Sequence, residues 1–230
     1  MDNFDQQSSV NMQGLNRFLS RMYGYMAGAI AISAIMAFIT VKYLQYTIFS
    51  SPVMMIVLGI VSIVMVFSLS YNPNRSAAAS ILMLFGYAAI EGIFFSSILA
   101  VYTMKNITMA FVSAAVVFVV LSLFGLNTKK DLSRFGRQAF AALIALLIVS
   151  VINLFLHSAA IEYIFSYVGV VIFTILTAWD TQNMKNIYLQ YGDRYEVNGL
   201  AVNGALQLYL DFINMFIYLV QIFGHNDNQN

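Results

Sequence analysis

The sequence contains no cysteine and very little charge. Its 230 residues include 11 Lys or Arg and 10 Asp or Glu, so 9% of the chain is charged, compared with about 25% in a typical soluble domain. The absence of cysteine excludes disulfide frameworks, thiolate metal sites and cysteine nucleophiles. The shortage of charge excludes a soluble globule of this size, because its surface could not be covered with polar groups.

Long apolar runs take the place of the missing charge. Hydrophobic residues make up 60% of the chain, and the mean hydropathy is +0.78. Because a membrane-spanning helix takes about 20 residues, this pattern predicts one all-α domain that crosses a lipid bilayer several times. The gaps between charges, together with the two prolines, predict seven spans at about 22–41, 52–71, 77–103, 107–126, 138–156, 162–180 and 199–223.

The ends of the sequence are polar and set the predicted domain limits. We expect residues 1–16 to form a flexible cytoplasmic tail, residues 17–223 the seven-helix membrane domain, and residues 224–230 a short C-terminal tail. Residues 1–16 lack the apolar core of a secretory signal peptide. No convincing internal repeat or low-complexity tract interrupts the chain.

The basic residues are distributed unevenly between alternate connecting segments. Lys42 and Lys105 occupy one set of segments, and nine basic residues occupy the other: Arg17, Arg21, Arg75, Lys129, Lys130, Arg134, Arg137, Lys185 and Arg194. Basic residues accumulate on the cytoplasmic side of membrane proteins. Seven spans with this distribution therefore predict a cytoplasmic N-terminus and a C-terminus outside.

Three acidic residues, Glu91, Asp180 and Asp211, fall inside predicted spans, whereas the other seven lie in loops or tails. An ionised side chain at the centre of a bilayer costs about 2.5–3.5 kcal/mol on insertion scales. Such residues usually face the bundle interior and mark an ion or proton pathway. The alternative is a carboxyl group that only joins helices by hydrogen bonds.

The spacing of Asp180 and Asp211 brings them to the same depth. Asp180 precedes Gly192 by 12 residues, and Asp211 follows Gly199 by 12 residues. Each therefore lies up to ~18 Å along its helix from the connecting loop. If helices 6 and 7 are antiparallel neighbours, the two carboxyl groups meet and share a proton. A rise in pH would remove that proton, separate the helices and leave an oxygen site suited to a hard cation such as calcium.

A polar stripe follows the last predicted helix at steps of three or four residues: Asn203, Gln207, Asp211, Asn214, Tyr218 and Gln221. Facing lipid, these groups would be unpaired in hydrocarbon, so we expect helix 7 to be central and enclosed by helices 1–6. The stripe is either a polar packing seam or a hydrated pathway. The candidates for lining a pathway are Glu91, Thr177, Gln207 and Asn214.

Two runs of residues in the same region resemble motifs of the Bax inhibitor-1 (transmembrane Bax-inhibitor-motif) family, in its bacterial branch. Residues Gln207 to Phe216, QLYLDFINMF, are similar to the family's LYLDFINLF helix. Residues Trp179 to Lys185, WDTQNMK, look like its YDxxxIK end of helix 6. Lys129 to Ser133 after helix 4 and Glu91-Gly92 in helix 3 support the resemblance, which covers all seven helices.

The resemblance implies a fold with the last helix central and a pH-sensitive calcium leak in the bacterial inner membrane. The family's di-aspartyl sensor maps onto Asp180 and Asp211, where calcium would bind transiently as the transported ion. In that scheme the protonated pair holds the pore closed. An arginine near the end of helix 2 latches the pair in some members, and Arg75 is the nearest candidate here. We expect no tightly bound cofactor, no nucleic-acid partner and no enzyme activity.

Other functions remain open or are disfavoured by missing residues. The main alternative is a non-conducting membrane regulator that modulates a membrane protease or a stress response. An intramembrane aspartyl protease would need a Gly-x-Gly-Asp motif, whereas Leu208-Tyr209-Leu210 precedes Asp211. A retinal pump would need a lysine in helix 7, and the predicted span 199–223 contains none. The two histidines, His157 and His225, lie at or beyond helix ends and do not suggest a metal site or a serine protease.

Overall fold

A computed structural model describes residues 2–44, 52–71, 76–191 and 197–227. Within these ranges the chain forms seven α-helices and no strand. A π-helical segment, Thr40–Leu44, continues the first helix. The α-helices are α1 (Asp2–Ile39), α2 (Pro52–Tyr71), α3 (Ala77–Val101), α4 (Met104–Asn127), α5 (Ser133–Leu156), α6 (Ala159–Tyr191) and α7 (Val197–Asp227).

The predicted all-α class is confirmed, and six of the helices are long and apolar enough to cross a membrane. The remaining helix is α2, whose described apolar stretch, Val53–Leu69, is shorter than the others. It coincides with the predicted second span. The seventh crossing, the central position of α7 and the orientation of the termini stay predictions.

Several helices extend beyond the predicted spans. The first begins at Asp2 rather than near residue 22, and α6 ends at Tyr191 rather than near residue 180. Gaps between charges locate only the apolar part of a helix, whereas its backbone hydrogen bonds continue into the polar region. The ring of Phe18 stacks on that of Tyr188 at 4.7 Å between centroids, so these extensions contact each other. The predicted limits at residues 16 and 224 consequently fall inside helices, and the flexibility of the two tails stays a prediction.

The helices divide into two compact units. Unit 1 contains residues Met1–Val101 and Met184–Tyr209, and unit 2 contains Tyr102–Asn183 and Leu210–Asn230. Both α6 and α7 therefore contribute one part to each unit. Within unit 1, α3 packs against α1 and α2.

A close backbone approach joins α1 and α3 in unit 1. A Cβ atom at Gly92 would lie 2.5 Å from the carbonyl oxygen of Ser33 and 2.7 Å from the Cβ of Met36. Ser33 is buried, and its hydroxyl donates to the carbonyl oxygen of Ala88 at 2.8 Å. Glycine is required here because the neighbouring backbone occupies the space that a side chain would need.

Small residues also permit the contacts of α6 in unit 2. Added Cβ atoms would collide with the backbone of Ala178 at Gly125 in α4, with the indole of Trp179 at Gly136 in α5, and with the ring of Tyr218 at Gly169. In the same unit, aromatic rings pack edge to face between α4 and α7. Phe111 and Phe118 of α4 both contact the ring of Phe212 of α7, at centroid distances of 5.6 and 5.8 Å.

Burial is greatest along α7. Half of its most apolar window is buried, compared with 17–33% for the other five candidate spans. Its polar stripe shares this burial, since none of the side chains is exposed at Asn203, Gln207, Asp211, Asn214, Tyr218 and Gln221.

Replacing Gly92 by alanine should destabilise the protein. The new methyl group would force α1 and α3 apart, and overpacking of this kind costs roughly 1–3 kcal/mol. The melting temperature of the detergent-solubilised variant should fall accordingly. Gly59→Ala is the matched control, because nothing lies within 4 Å of the added Cβ. Equal melting temperatures for the two variants would contradict the close α1–α3 contact.

Candidate functional site

The carboxyl groups of Asp180 on α6 and Asp211 on α7 lie next to each other in unit 2, within reach of a hydrogen bond. Asp211 is buried, with 3% of its surface exposed, and Asp180 is partly buried. A carboxylate can only accept, so a hydrogen bond between two carboxyl groups requires that one of them carries a proton. The structure therefore brings together the two residues predicted to form the pair, and a hydrogen bond between them would need a shared proton.

The buried oxygen of Asp211 shows how few other donors the pair has. Its Oδ2 atom has no hydrogen-bond partner among the described residues. An unsatisfied buried acceptor is costly, and a full negative charge on it more so. Protonation of the pair is the change that lowers this cost with the residues at hand.

Neutral hydroxyl groups flank Asp180 on α6. The Thr177 hydroxyl donates to the carbonyl oxygen of Phe173 at 2.8 Å, and the hydroxyl groups of Thr181 and Ser122 on α4 lie 3.2 Å apart. Both threonines are fully buried. Thr177, a predicted pathway residue, therefore has its proton engaged by its own helix in this conformation.

A cavity of about 480 Å³ lies beside residues 214–221 of α7. Its lining includes the amides of Asn153, Asn214 and Gln221, the carboxyl group of Glu162 and the ring of Tyr218. The Oε1 atom of Gln221 is buried and has no hydrogen-bond partner in the described part of the chain. Oxygen atoms able to contact a hydrated cation therefore line this space.

The Glu162 carboxyl group, which lines the cavity, also affects the titration of a tyrosine in the same unit. Burial, and to a lesser extent the Glu162 carboxylate, raises the pKa of Tyr102, which lies between α3 and α4. The ring of Tyr102 also contacts Gly224 near the end of α7. The region around the cavity thus combines an exposed acidic group with packed aromatic rings.

Glu91 lies in unit 1 with partners of its own. The Ser62 hydroxyl on α2 donates to its Oε1 atom at 2.9 Å, and the Tyr87 hydroxyl, one turn earlier on α3, also hydrogen-bonds to it. The Tyr87 ring meets the edge of the Tyr209 ring at 5.9 Å. Glu91 is therefore held by neutral hydroxyl groups rather than by a second acid.

The other predicted residues have different outcomes. In unit 1, the Gln207 amide nitrogen lies 3.5 Å from the Asn203 side-chain oxygen. Asn214 donates to the carbonyl oxygen of Leu210 at 2.7 Å while facing the cavity. Arg75, the latch candidate, lies outside the described residues.

Among the residues that the structure describes, no group of three or more His, Asp or Glu side chains is arranged to hold a metal ion. Calcium usually takes six to eight oxygen ligands. Asp180 and Asp211 alone are too few for a resident ion, although they could contact one in passage.

Two contacts next to Asp180 did not emerge from the sequence. Gln182 donates from Nε2 to the carbonyl oxygen of Lys130 at 2.8 Å, and its Oε1 accepts from the Leu132 N–H at 2.9 Å. The Trp179 indole packs on Gly136. A glutamine and a tryptophan within a helix carry no spacing signal for such contacts, so only the packing of α6 against α5 and the segment before it reveals them.

Known proteins resemble this chain over nearly its whole length. A family model described as "Inhibitor of apoptosis-promoting Bax1" matches residues 15–228. The inner membrane protein YbhL of Escherichia coli (strain K12) is 37% identical over 232 residues, covering 98% of this chain and 99% of that protein. An uncharacterized protein, YrjE of Lactococcus lactis, is 37% identical over 225 residues, covering 96% and 94%.

The shared proton predicts that the protein becomes less stable as pH rises. Water-exposed aspartates of the unfolded chain release their protons well below neutral pH, whereas the hydrogen-bonded pair retains one. The folded state then binds more protons, and stability falls with rising pH. Between about pH 6 and about pH 8, the melting temperature in detergent should drop by roughly 2–4 °C for each kcal/mol lost.

Asp211→Asn should flatten this pH dependence, because its amide donates a hydrogen bond to Asp180 without titrating. Asp131→Asn, which changes an exposed carboxyl group, is the control and should retain the slope. An unchanged slope in Asp211→Asn would contradict proton sharing.

Proposed function

The chain belongs to the Bax inhibitor-1 family, and from this premise we propose that it is a pH-sensitive calcium leak gated by Asp180 and Asp211. Its long apolar helices and its relatives make it a multi-pass protein of the bacterial inner membrane. The observation that carries the proposal is the hydrogen bond between the two carboxyl groups.

The shared proton is the gate in this mechanism. With the proton in place, the hydrogen bond holds α6 and α7 together in unit 2. When the proton leaves, two negative charges face each other in a medium of low dielectric constant, where their repulsion is strong. Separation of the helices relieves that repulsion and exposes carboxylate oxygen atoms to an incoming cation.

The cavity beside α7 supplies an approach to the pair. Asn214 lines it and lies three residues after Asp211, so the two side chains are neighbours on the helix surface. Calcium prefers uncharged and charged oxygen ligands of the kind found at Glu162, Asn214 and Gln221. Few charged ligands favour weak binding, and weak binding allows the ion to leave again.

The burial of α7 supports a central position for this helix. A polar stripe is tolerated at membrane depth only where protein or water covers it, and none of the stripe residues is exposed. In this proposal the calcium ion is the transported substrate, and the protein has neither a resident cofactor nor an enzymatic role.

Calcium flux in liposomes tests the proposal directly. Wild-type protein reconstituted into dye-loaded vesicles should admit calcium, and the rate should rise between about pH 6 and about pH 8 as the shared proton is lost. Asp180→Asn and Asp211→Asn should remove most of this pH dependence, because an amide cannot release the proton. Asp131→Asn should keep it.

The outcomes separate the competing functions. Absence of wild-type flux at every pH would contradict the leak and favour the non-conducting regulator, in which the pair is a conformational switch. Flux with identical pH profiles in wild type, Asp180→Asn and Asp211→Asn would show a leak whose pH sensor lies elsewhere.

A second prediction concerns the cavity. Gln221→Leu should lower the calcium flux several-fold at every pH, because it replaces a buried oxygen atom on the approach by an apolar group. The same replacement at the exposed Gln138 on α5 is the matched control and should leave the flux unchanged. A normal flux in Gln221→Leu would exclude this cavity from the pathway.

A further inference from the structure

A strongly basic segment, Lys129–Arg137, joins α4 to α5 in unit 2. We call it the basic segment. It carries Lys129, Lys130, Arg134 and Arg137, all exposed, and one acidic residue, Asp131, so four positive charges and one negative charge leave a net charge of +3.

Asp131 accepts a hydrogen bond immediately before the start of α5, where Leu132 is the N-cap residue. Its Oδ1 atom accepts from the Ser133 N–H at 2.8 Å, and hydrogen bonds from the Ser133 side chain and backbone lower the pKa of the Asp131 carboxyl group. The Asp131 carboxylate therefore stays ionised at neutral pH and lies exposed among the four cations, so the basic segment presents a net charge of +3.

The basic segment lies at a membrane interface. It connects two candidate spans that end at Asn127 and begin at Ser133. Two large apolar side chains accompany its charges at the start of α5, Phe135 and Phe140, which are 55% and 53% exposed. Cations beside exposed aromatic rings match a phospholipid layer, which offers negative headgroups next to acyl chains. A free phosphate ion would use only the charges.

The basic segment is tied to α6 on both sides of Asp180. Trp179, immediately before Asp180, packs on Gly136. Gln182, two residues after it and 7% exposed, holds the backbone of Lys130 and Leu132 through hydrogen bonds of 2.8 and 2.9 Å. These contacts join the basic segment directly to the part of α6 that carries Asp180.

We propose that the basic segment is a binding surface for anionic phospholipid headgroups, and that its occupation stabilises the hydrogen-bonded Asp180–Asp211 pair. The binding step stands on the charge, the exposed rings and the interfacial position. The effect on the pair rests on the function proposed above.

The direction of the effect follows from linkage. A ligand that binds one conformation stabilises it relative to the others. In the structure, Gln182 makes its two hydrogen bonds to the backbone of Lys130 and Leu132. The carboxyl groups of Asp180 and Asp211 lie within reach of a hydrogen bond in the same conformation. Headgroups that bind the basic segment in this conformation also reduce the repulsion among its four cations. Anionic lipid should therefore favour the conformation in which Gln182 holds the basic segment and the Asp180–Asp211 pair is formed.

Lipid retention tests the binding step without any flux measurement. Purified protein in neutral detergent is mixed with phosphatidylglycerol, passed through a sizing column, and the retained lipid is quantified by mass spectrometry. Arg134→Gln combined with Arg137→Gln should weaken retention roughly tenfold or more, since each basic residue near the surface contributes substantially to anionic-lipid binding. Lys42→Gln combined with Lys105→Gln removes the same charge elsewhere and should bind as wild type does.

Fluorescence reports on the contact point itself, because Trp179 is the only tryptophan in the sequence. Phosphatidylglycerol should shift its emission in the wild type and in the control double variant but not in the double arginine variant. Glycerol phosphate in solution should not reproduce the shift. If it does so fully, the segment is a simple anion site and the lipid surface is refuted.

Flux in vesicles tests the coupling to the pair. In vesicles containing phosphatidylglycerol, the double arginine variant should conduct several-fold faster than the control double variant, a comparison at equal surface charge of the membrane. Gln182→Leu should retain phosphatidylglycerol while its flux becomes insensitive to that lipid.

Each result bears on a separate claim. Equal lipid retention by the two double variants overturns the binding surface. Normal retention with equal flux in those variants overturns the coupling. A wild type without any flux contradicts the proposed leak, whereas the retention and fluorescence measurements still decide whether the lipid surface exists.

Discussion

The hydrogen bond between Asp180 and Asp211 exists only while one of the two carboxyl groups holds a proton. The buried Oδ2 atom of Asp211 has no hydrogen-bond partner among the described residues, so a negative charge on it is left without a donor. In a membrane protein the surrounding lipid offers no water to replace the missing donor. In the proposed mechanism, one proton determines whether α6 and α7 attract or repel each other at this point of unit 2, and the neighbouring contacts favour one of these two states.

The residues around Asp180 connect that choice to other helices. Thr181 meets Ser122 on α4, Trp179 packs on Gly136 in α5, and Gln182 holds the backbone that leads into α5. Four consecutive residues of α6 thus combine one titrating group with contacts to two further helices. Packed interfaces change between discrete arrangements more readily than they deform. We therefore expect a displacement of Asp180 to affect the basic segment, and a restraint on the basic segment to affect Asp180.

The scarcity of charge made much of the fold and part of the candidate site predictable. Uncharged gaps located the helices, and both ends of α2 were predicted correctly because prolines or asparagines bound the apolar run. Equal spacing about one loop was sufficient to place Asp180 next to Asp211. The length of α1 was not predictable from those gaps, since a helix continues after its apolar part ends. The hydrogen bonds of Gln182 to the backbone before α5 and the Ser62–Glu91 hydrogen bond depend on how each helix is rotated about its axis. That rotation cannot be read from a single sequence. Arg75 lies outside the described residues, so its latch role stays a prediction.

Glu91 and the Asp180–Asp211 pair differ in how their surroundings respond to a change of pH. Glu91 receives hydrogen bonds from the hydroxyl groups of Ser62 and Tyr87, and a hydroxyl group can donate to a carboxylate or accept from a carboxylic acid by rotating. Its surroundings can therefore remain in place in either protonation state. The Asp180–Asp211 pair has no such freedom, because loss of the proton removes the hydrogen bond and adds repulsion in one step. A pH-dependent movement of helices is thus expected at the pair and not at Glu91, although both lie within the same sparsely charged chain.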